Sequence, residues 1–128
     1  MRMRENLRWF KLWLAMGWLL VATVIYLSLT PHPIEIDVNH GDKIGHTLAY
    51  FGMMIWFAQL YRRRSHVWWG AGFIALGVAL EYLQGWSGYR DFEYLDMVAD
   101  ASGVAVAWLL GGTAVARLLD GLEELIGV

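Results

Sequence analysis

The sequence predicts an all-α membrane protein with four transmembrane helices and both termini in the cytoplasm. Three observations lead to this prediction: the composition, the length of four apolar segments and the distribution of basic residues. Of the 128 residues, 58% are hydrophobic and only 17% are charged, whereas soluble domains average roughly 45–50% and about 25%. Cysteine is absent, which excludes disulfides and thiolate chemistry. The net charge of −2 gives no indication of a nucleic-acid partner.

Four apolar segments are long enough to cross a bilayer, whose core of about 30 Å requires roughly 20 residues of helix. The first, about 9–29, ends before Pro31 and Pro33, since proline cannot continue a helix. It is longer than a signal-peptide core and no small-x-small cleavage site follows, so we interpret it as an uncleaved span. The other three are about 43–61, 67–84 and 95–119. Together they predict one transmembrane domain over residues 1–128.

The soluble alternative is a compact helical bundle, which would need a polar outer face on every helix. Segments 16–27 and 70–80 have no such face. Because the predicted helices are apolar nearly all round, they also do not resemble amphipathic helices that lie on a membrane surface. The transmembrane interpretation is therefore favoured over both alternatives.

The basic residues predict the orientation, because short cytoplasmic loops are enriched in Lys and Arg. Four crossings place eight of the ten basic residues on one side, which must then be the cytoplasm. These eight are Arg2, Arg4, Arg8, Lys11, Arg62, Arg63, Arg64 and Arg117. Loops 30–41 and 85–94 are then outside.

Polar residues that interrupt the apolar spans are all predicted to lie at the outer end of the bundle. The pairs Asp42/His46 and Asp96/Asp100 are four residues apart and Glu81/Gln84 three, so each pair shares one helix face. Ionisable groups at membrane depth usually face the bundle interior or a partner. We therefore predict that one inward-facing group is formed by Asp42, Lys43, His46, Glu81, Gln84, Arg90, Asp96 and Asp100.

Two of these charges oppose the helix dipole: Lys43 begins its helix and Glu81 lies near the end of another. We therefore expect at least one pair between a Lys or Arg and a carboxylate among helices 2, 3 and 4. Asp42 and Asp96 are equally well interpreted as helix caps, and the whole network could simply hold the helices in register. Gly103 and Ala107 form a small-xxx-small pair that favours close helix packing.

The ordered set resembles the VanZ-like family, small bacterial membrane proteins named after a teicoplanin-resistance determinant. The set reads Asp42-Lys43-x-x-His46-x-x-x-Tyr50, Glu81-x-x-Gln84, Arg90, Asp96-x-x-x-Asp100-x-x-Gly103, and the resemblance covers about residues 28–111. It implies a multi-pass protein of the bacterial cytoplasmic (inner) membrane with a role in the cell envelope and a link to glycopeptide-antibiotic resistance. The chain departs from the family at Asp100, where Asn is common, and so gains a negative charge or a proton site.

Three functions follow from these residues, of which the first ranks highest. In the first, the site binds the headgroup of a membrane lipid or lipid-linked cell-wall precursor. Lys43, Arg90 and His46 would contact phosphate or carboxylate, and the acids and Gln84 would orient them and bind sugar hydroxyls. The second is a membrane hydrolase or transferase acting on a lipid-linked phosphate or sugar, with His46 or an acid as the base.

The second function ranks lower because no nucleophile or P-loop motif is present. The third is a structural or proton-coupled bundle without a specific ligand. We expect no cofactor and no nucleic-acid partner. No metal is assigned either, since one histidine among basic residues is a weak metal signal.

Overall fold

The computed structural model describes residues 7–30, 41–88 and 92–127, with the exception of the Asp42 side chain. All regular secondary structure in these ranges is helical, which confirms the all-α prediction. The elements are α1 (Phe10–Leu29), α2 (Gly41–Leu60), α3 (Arg63–Ser87), α4 (Tyr94–Leu110), a 3-10 helix (Ala114–Arg117) and α5 (Leu118–Leu125).

Helix α3 is longer than its apolar segment. It begins at Arg63 rather than at 67, so part of the arginine run lies in its first turn. Hydropathy locates only the apolar part of a helix, whereas the helix also includes polar residues at its ends until its backbone is capped. At its other end α3 stops at Gly88, which adopts the left-handed conformation (φ 80°) that glycine accepts without strain.

The predicted fourth helix, 95–119, is wrong at its C-terminal end. Helix α4 stops at Leu110, and the helices of 114–125 are bent from it by 81°. Gly111 and Gly112 lie at the break, and the Thr113 hydroxyl accepts a hydrogen bond from Val115 N to start the 3-10 helix. Two successive glycines disfavour helix continuation, a local signal that an average over apolar residues does not register.

Helix α2 is the centre of the bundle, with its most extensive contacts to α4, while α1 packs on α2 and α3. The close approach of α2 and α4 depends on Gly103, where an added Cβ would lie 2.3 Å from Thr47 O. The predicted role of Gly103 in close packing is confirmed. Side chains with almost no exposed surface fill the middle of the bundle, including Met53, Met54, Phe57, Val104 and Ala107.

Besides its apolar core, the bundle exposes many large apolar side chains and buries several polar ones. Large apolar side chains are exposed on the outer faces, among them Leu19 (67%), Trp68 (67%) and Leu109 (61%). Buried polar residues are Gln59, Ser65, His66, Glu81, Gln84, Asp96, Asp100 and Glu123. Soluble proteins leave such acids on the surface and rarely expose large apolar patches.

Within the described ranges, α1 is long and apolar enough to cross a membrane by itself. Helix α4 and the segment Ala114–Leu125 meet the same criterion only when taken together across their bend. Neither α2 nor α3 meets this criterion of length and apolar character by itself. The described chain thus contains one candidate spanning helix, or two if the bent pair is one span. Core helices of soluble proteins and signal sequences can be equally long and apolar.

Candidate functional site

A polar cluster forms where the start of α2, the end of α3 and the start of α4 meet. Up-and-down packing of helices of similar length brings these three ends to one level. We define the polar cluster by its described side chains: Lys43, His46, Glu81, Glu93, Asp96 and Asp100. Five of these six are among the predicted site residues.

His46 lies between two carboxylates of α4. Its Nδ1 is 2.8 Å from Asp100 Oδ1, and its Nε2 is 3.6 Å from Asp96 Oδ2, which is beyond hydrogen-bond distance. Asp100 fits there because Gly77 of α3 has no side chain: a Cβ at Gly77 would lie 2.7 Å from Asp100 Oδ2. The imidazole ring is therefore oriented by Asp100 on one side and faces Asp96 with the other.

Lys43 is the cation of the cluster in the described chain. Its Nζ lies 2.6 Å from Asp96 Oδ1 and also contacts the Glu93 carboxylate. The Thr47 hydroxyl donates to Lys43 O at 2.9 Å and lies 3.3 Å from Ala99 O, which ties α2 to α4. The expected ion pair between a lysine and a carboxylate among helices 2, 3 and 4 is thus confirmed.

Glu81 is almost fully buried, with 1% of its surface exposed. Its Oε1 accepts a hydrogen bond of 2.7 Å from Glu93 N, and a carboxylate oxygen of Glu81 lies within 4.8 Å of one of Asp96. We expected a cation to compensate Glu81, but the hydrogen-bond partner described here is the Glu93 backbone N–H, with the Asp96 carboxyl group nearby. Because two neighbouring negative charges repel, a proton or a cation between these carboxyl groups would be favourable.

The remaining predicted site residues are not in the described cluster. Gln84 is buried one turn beyond Glu81, and its Nε2 donates to Ser28 O at 2.8 Å, which joins α3 to the end of α1. Arg90 and the Asp42 side chain lie outside the part of the chain that the structure describes. Gln84 therefore has an observed role in packing.

The sequence interpretation missed Glu93, Thr47 and Gly77. Glu93 precedes α4 and lies three residues before Asp96, so helical spacing could have identified it as a second carboxylate for Lys43. Thr47 follows His46, and its residue type gives no signal of a role, because small residues are common in packed helices. Gly77 has no signal of its own, because its importance depends on Asp100 of another helix.

A second group of buried polar side chains lies at the opposite end of the bundle. The Glu123 carboxylate of α5 accepts hydrogen bonds from Arg8 N and Trp9 N, both 3.0 Å, and from Trp13 Nε1, 2.6 Å. Burial raises the pKa of Glu123, but these hydrogen bonds outweigh it, so the pKa lies below its ordinary value. This group holds the C-terminal helix against the start of α1, and we assign it a structural role.

In the described chain, four carboxyl groups of the polar cluster surround one lysine and one histidine. Lys43 and Glu93 are the more accessible members, with 20% and 46% of their side chains exposed, while Glu81, Asp96 and Asp100 are buried. The excess of acid favours ligands that bring hydroxyl groups, amines or a cation. Comparison of the chain with protein-family models, characterised proteins and solved structures gives no match.

Proposed function

We propose that this chain is a four-span, VanZ-like protein of the bacterial cytoplasmic membrane, whose polar cluster binds the headgroup of an envelope lipid or lipid-linked cell-wall precursor at the outer surface. The membrane assignment is supported by exposed apolar side chains on the outer faces of the helices and buried acids between them. It is also supported by α1, which is suited to span by itself. Eight of the ten basic residues lie on the side opposite the polar cluster in this topology.

Helices α2 and α3 can span despite their polar residues because those residues lie near the ends and face one another. Helix α4 has 17 residues, which corresponds to about 26 Å at 1.5 Å per residue, close to the bilayer core of about 30 Å. After the bend, α5 exposes Leu118, Leu122 and Leu125. An apolar face of that kind suits a helix lying in the inner membrane interface.

The observation that carries headgroup binding is the number of ionisable groups gathered at one level. One ion pair would hold the helices in register, yet His46, Glu81 and Asp100 join the Lys43–Asp96 pair. Burying this many polar groups has a desolvation cost that pairing only partly recovers. A role beyond stability, namely recognition of a ligand, accounts for the surplus.

The charge of the cluster indicates the class of headgroup. Lys43 is a strong donor for phosphate oxygens, whereas Glu93 beside it is an acceptor for hydroxyl or amino groups. The headgroup that fits both combines a phosphate with sugar hydroxyls or an amine. A purely anionic headgroup would be repelled by the four acids.

Lys43→Gln tests headgroup binding. We expect the parent protein, purified in mild detergent, to retain a specific lipid in native mass spectrometry, and the variant to lose it because the phosphate contact is removed. Lys11→Gln is the matched control. Lys11 is an exposed lysine near the start of α1, at the end of the bundle opposite the polar cluster. Arg90→Gln, the other cation predicted on the outer side, should behave like Lys43→Gln.

This result requires that the variants remain folded. Size-exclusion chromatography and thermal unfolding measure whether they do. Retention of the same lipid by Lys43→Gln would contradict the proposal. A parent protein that retains no lipid would favour the scaffold function instead.

The His46–Asp100 pair favours one alternative, a hydrolase or transferase acting on a lipid-linked phosphate or sugar. A carboxylate that orients an imidazole through Nδ1 is a common arrangement for a general base. In that case the parent protein would turn over a lipid-linked phosphate, and His46→Gln would abolish turnover while Lys11→Gln would not. Absence of turnover by the parent excludes this alternative for the substrates tested.

A further inference from the structure

We infer that His46, Glu81 and Asp96 form a binding site for a divalent transition-metal ion such as Zn²⁺ or Mn²⁺. This inference goes beyond headgroup binding and stands on the geometry of the three residues alone. Each comes from a different helix, α2, α3 and α4, and each offers one ligand atom within 4.8 Å of the others. Metal bonds of about 2.0–2.2 Å in a tetrahedral site place ligand atoms roughly 3.3 to 3.6 Å apart, so a pair at the 4.8 Å limit would have to close by a little over ~1 Å.

The second observation is that each candidate ligand is oriented by a neighbour outside the set. Asp100 holds His46 Nδ1, Lys43 holds Asp96 Oδ1, and the Glu93 backbone N–H holds Glu81 Oε1. The second ligand atom of each residue then remains for an ion. These atoms are His46 Nε2 and the other carboxylate oxygen of Glu81 and of Asp96. Metal-binding histidines usually have their other ring nitrogen bound to a carboxylate or carbonyl, which fixes the ring and its tautomer.

Charge supports the same conclusion. The Glu81 and Asp96 carboxyl groups are buried and each offers an oxygen within 4.8 Å of the other, so a cation between them would relieve their mutual repulsion. A divalent ion would neutralise the excess acid. It would also present open coordination positions, because three protein ligands leave at least one for water or a phosphate oxygen.

The ligand chemistry indicates which ions fit. An imidazole nitrogen with two carboxylate oxygens suits Zn²⁺, Mn²⁺ or Co²⁺, whereas Mg²⁺ and Ca²⁺ prefer oxygen ligands throughout. We therefore expect the site to bind Zn²⁺ and Co²⁺ more tightly than Mg²⁺. The absence of cysteine from the chain excludes thiolate ligation.

The experiment uses the full chain, purified without a metal-affinity tag, stripped with EDTA and titrated with the metal alone. We expect about one Zn²⁺ or Co²⁺ per chain after desalting, measured by elemental mass spectrometry, together with a rise in unfolding temperature. The visible absorption spectrum of bound Co²⁺ reports nitrogen and oxygen ligation directly. His46→Gln should abolish stoichiometric binding and the spectrum.

The Asp100→Asn variant tests whether Asp100 positions His46 or binds the metal ion itself. Because Asp100 acts through His46, we expect binding weakened by 10- to 100-fold with the stoichiometry retained at high metal concentration. His66→Gln is the matched control, since His66 is buried at the opposite end and its Nε2 bonds Tyr61 O. It should bind as the parent does.

Failure of the parent protein to bind Zn²⁺, Co²⁺ or Mn²⁺ would overturn the inference, and so would unchanged binding by a folded His46→Gln. If Glu81→Gln does not fold, the Co²⁺ spectrum of His46→Gln still decides the question. No lipid is added in this experiment, so its outcome is independent of the Lys43→Gln result on headgroup binding.

Discussion

At the scale of single residues, two glycines decide how closely the helices approach. Gly103 lies against the backbone of α2, where an added Cβ would be 2.3 Å from Thr47 O and 3.0 Å from Phe51 N. Backbone atoms cannot turn aside as the end of a flexible side chain can. Gly77 similarly leaves room for Asp100. These close contacts place the α2 and α4 residues of the polar cluster within bonding distance.

Replacing Gly103 by Ala should therefore separate α2 from α4. We expect destabilisation by about 1–3 kcal/mol, as for other overpacked positions, and a lower unfolding temperature in detergent. Gly72→Ala is the matched control, because nothing lies within 4 Å of the added Cβ. That control should be neutral or stabilising by roughly 0.5–1 kcal/mol, since alanine favours helix. Equal stability of the two variants would contradict the role of Gly103.

Glu123 gives a pH-dependent contribution to stability. Because its folded pKa lies below the ordinary value of 4.5, its contribution is present above that value and is lost as the pH falls through the folded pKa. We expect Glu123→Gln to lower the unfolding temperature at pH 7, and this difference from the parent to shrink progressively as the pH falls below 4.5. Glu124→Gln, an exposed neighbour on α5, should follow the parent at every pH. A pH-independent difference for Glu123→Gln would exclude this explanation.

At the scale of elements, the C-terminal segment is held by side chains from other helices. The buried Gln59 of α2 donates through Nε2 to Val115 O at 2.7 Å and accepts from Leu119 N at 3.3 Å. Helix α5 has only eight residues, too few for an isolated helix to be stable in water. Its position therefore depends on Gln59, on Glu123 and on burial of Leu119.

Gln59→Met should loosen this segment without unfolding the bundle. The substitution keeps the apolar volume but leaves Leu119 N and Val115 O without this partner, which costs about 1–3 kcal/mol for each buried group left unsatisfied. We expect faster hydrogen exchange over residues 114–127 and unchanged exchange in α4. Leu48→Met, an exposed substitution on the same helix, serves as the control. Unchanged exchange at the C-terminal segment would contradict the dependence on Gln59.

At the scale of the whole molecule, the proposed topology has both termini inside and the polar cluster outside. The chain contains no cysteine, so single-cysteine variants report accessibility without background. We expect Asn39→Cys and Ser87→Cys to react with a membrane-impermeant thiol reagent added to intact cells. Glu124→Cys should react only after the cells are opened. Labelling of Asn39→Cys and Ser87→Cys from the cytoplasmic side alone would reverse the orientation.

The sequence by itself predicted the all-α class and most helix bounds, because apolar length and proline or glycine at helix ends are local signals. It also predicted that a lysine would pair with a carboxylate, since Lys43 opposes the dipole of its own helix. Five of the predicted site residues share the polar cluster: Lys43, His46, Glu81, Asp96 and Asp100. Their spacing on each helix was readable as one face.

Only the tertiary structure decided which atoms meet. Gln84 shares a face with Glu81, but its Nε2 donates a hydrogen bond to Ser28 O of α1, whereas Glu81 accepts one from Glu93 N. His46 is held by Asp100, and Glu81 meets Asp96 and the Glu93 backbone, choices set by the rotation and separation of three helices at Gly77 and Gly103. Periodicity fixes the face of a single helix, whereas partner choice depends on contacts between distant segments that no local pattern encodes.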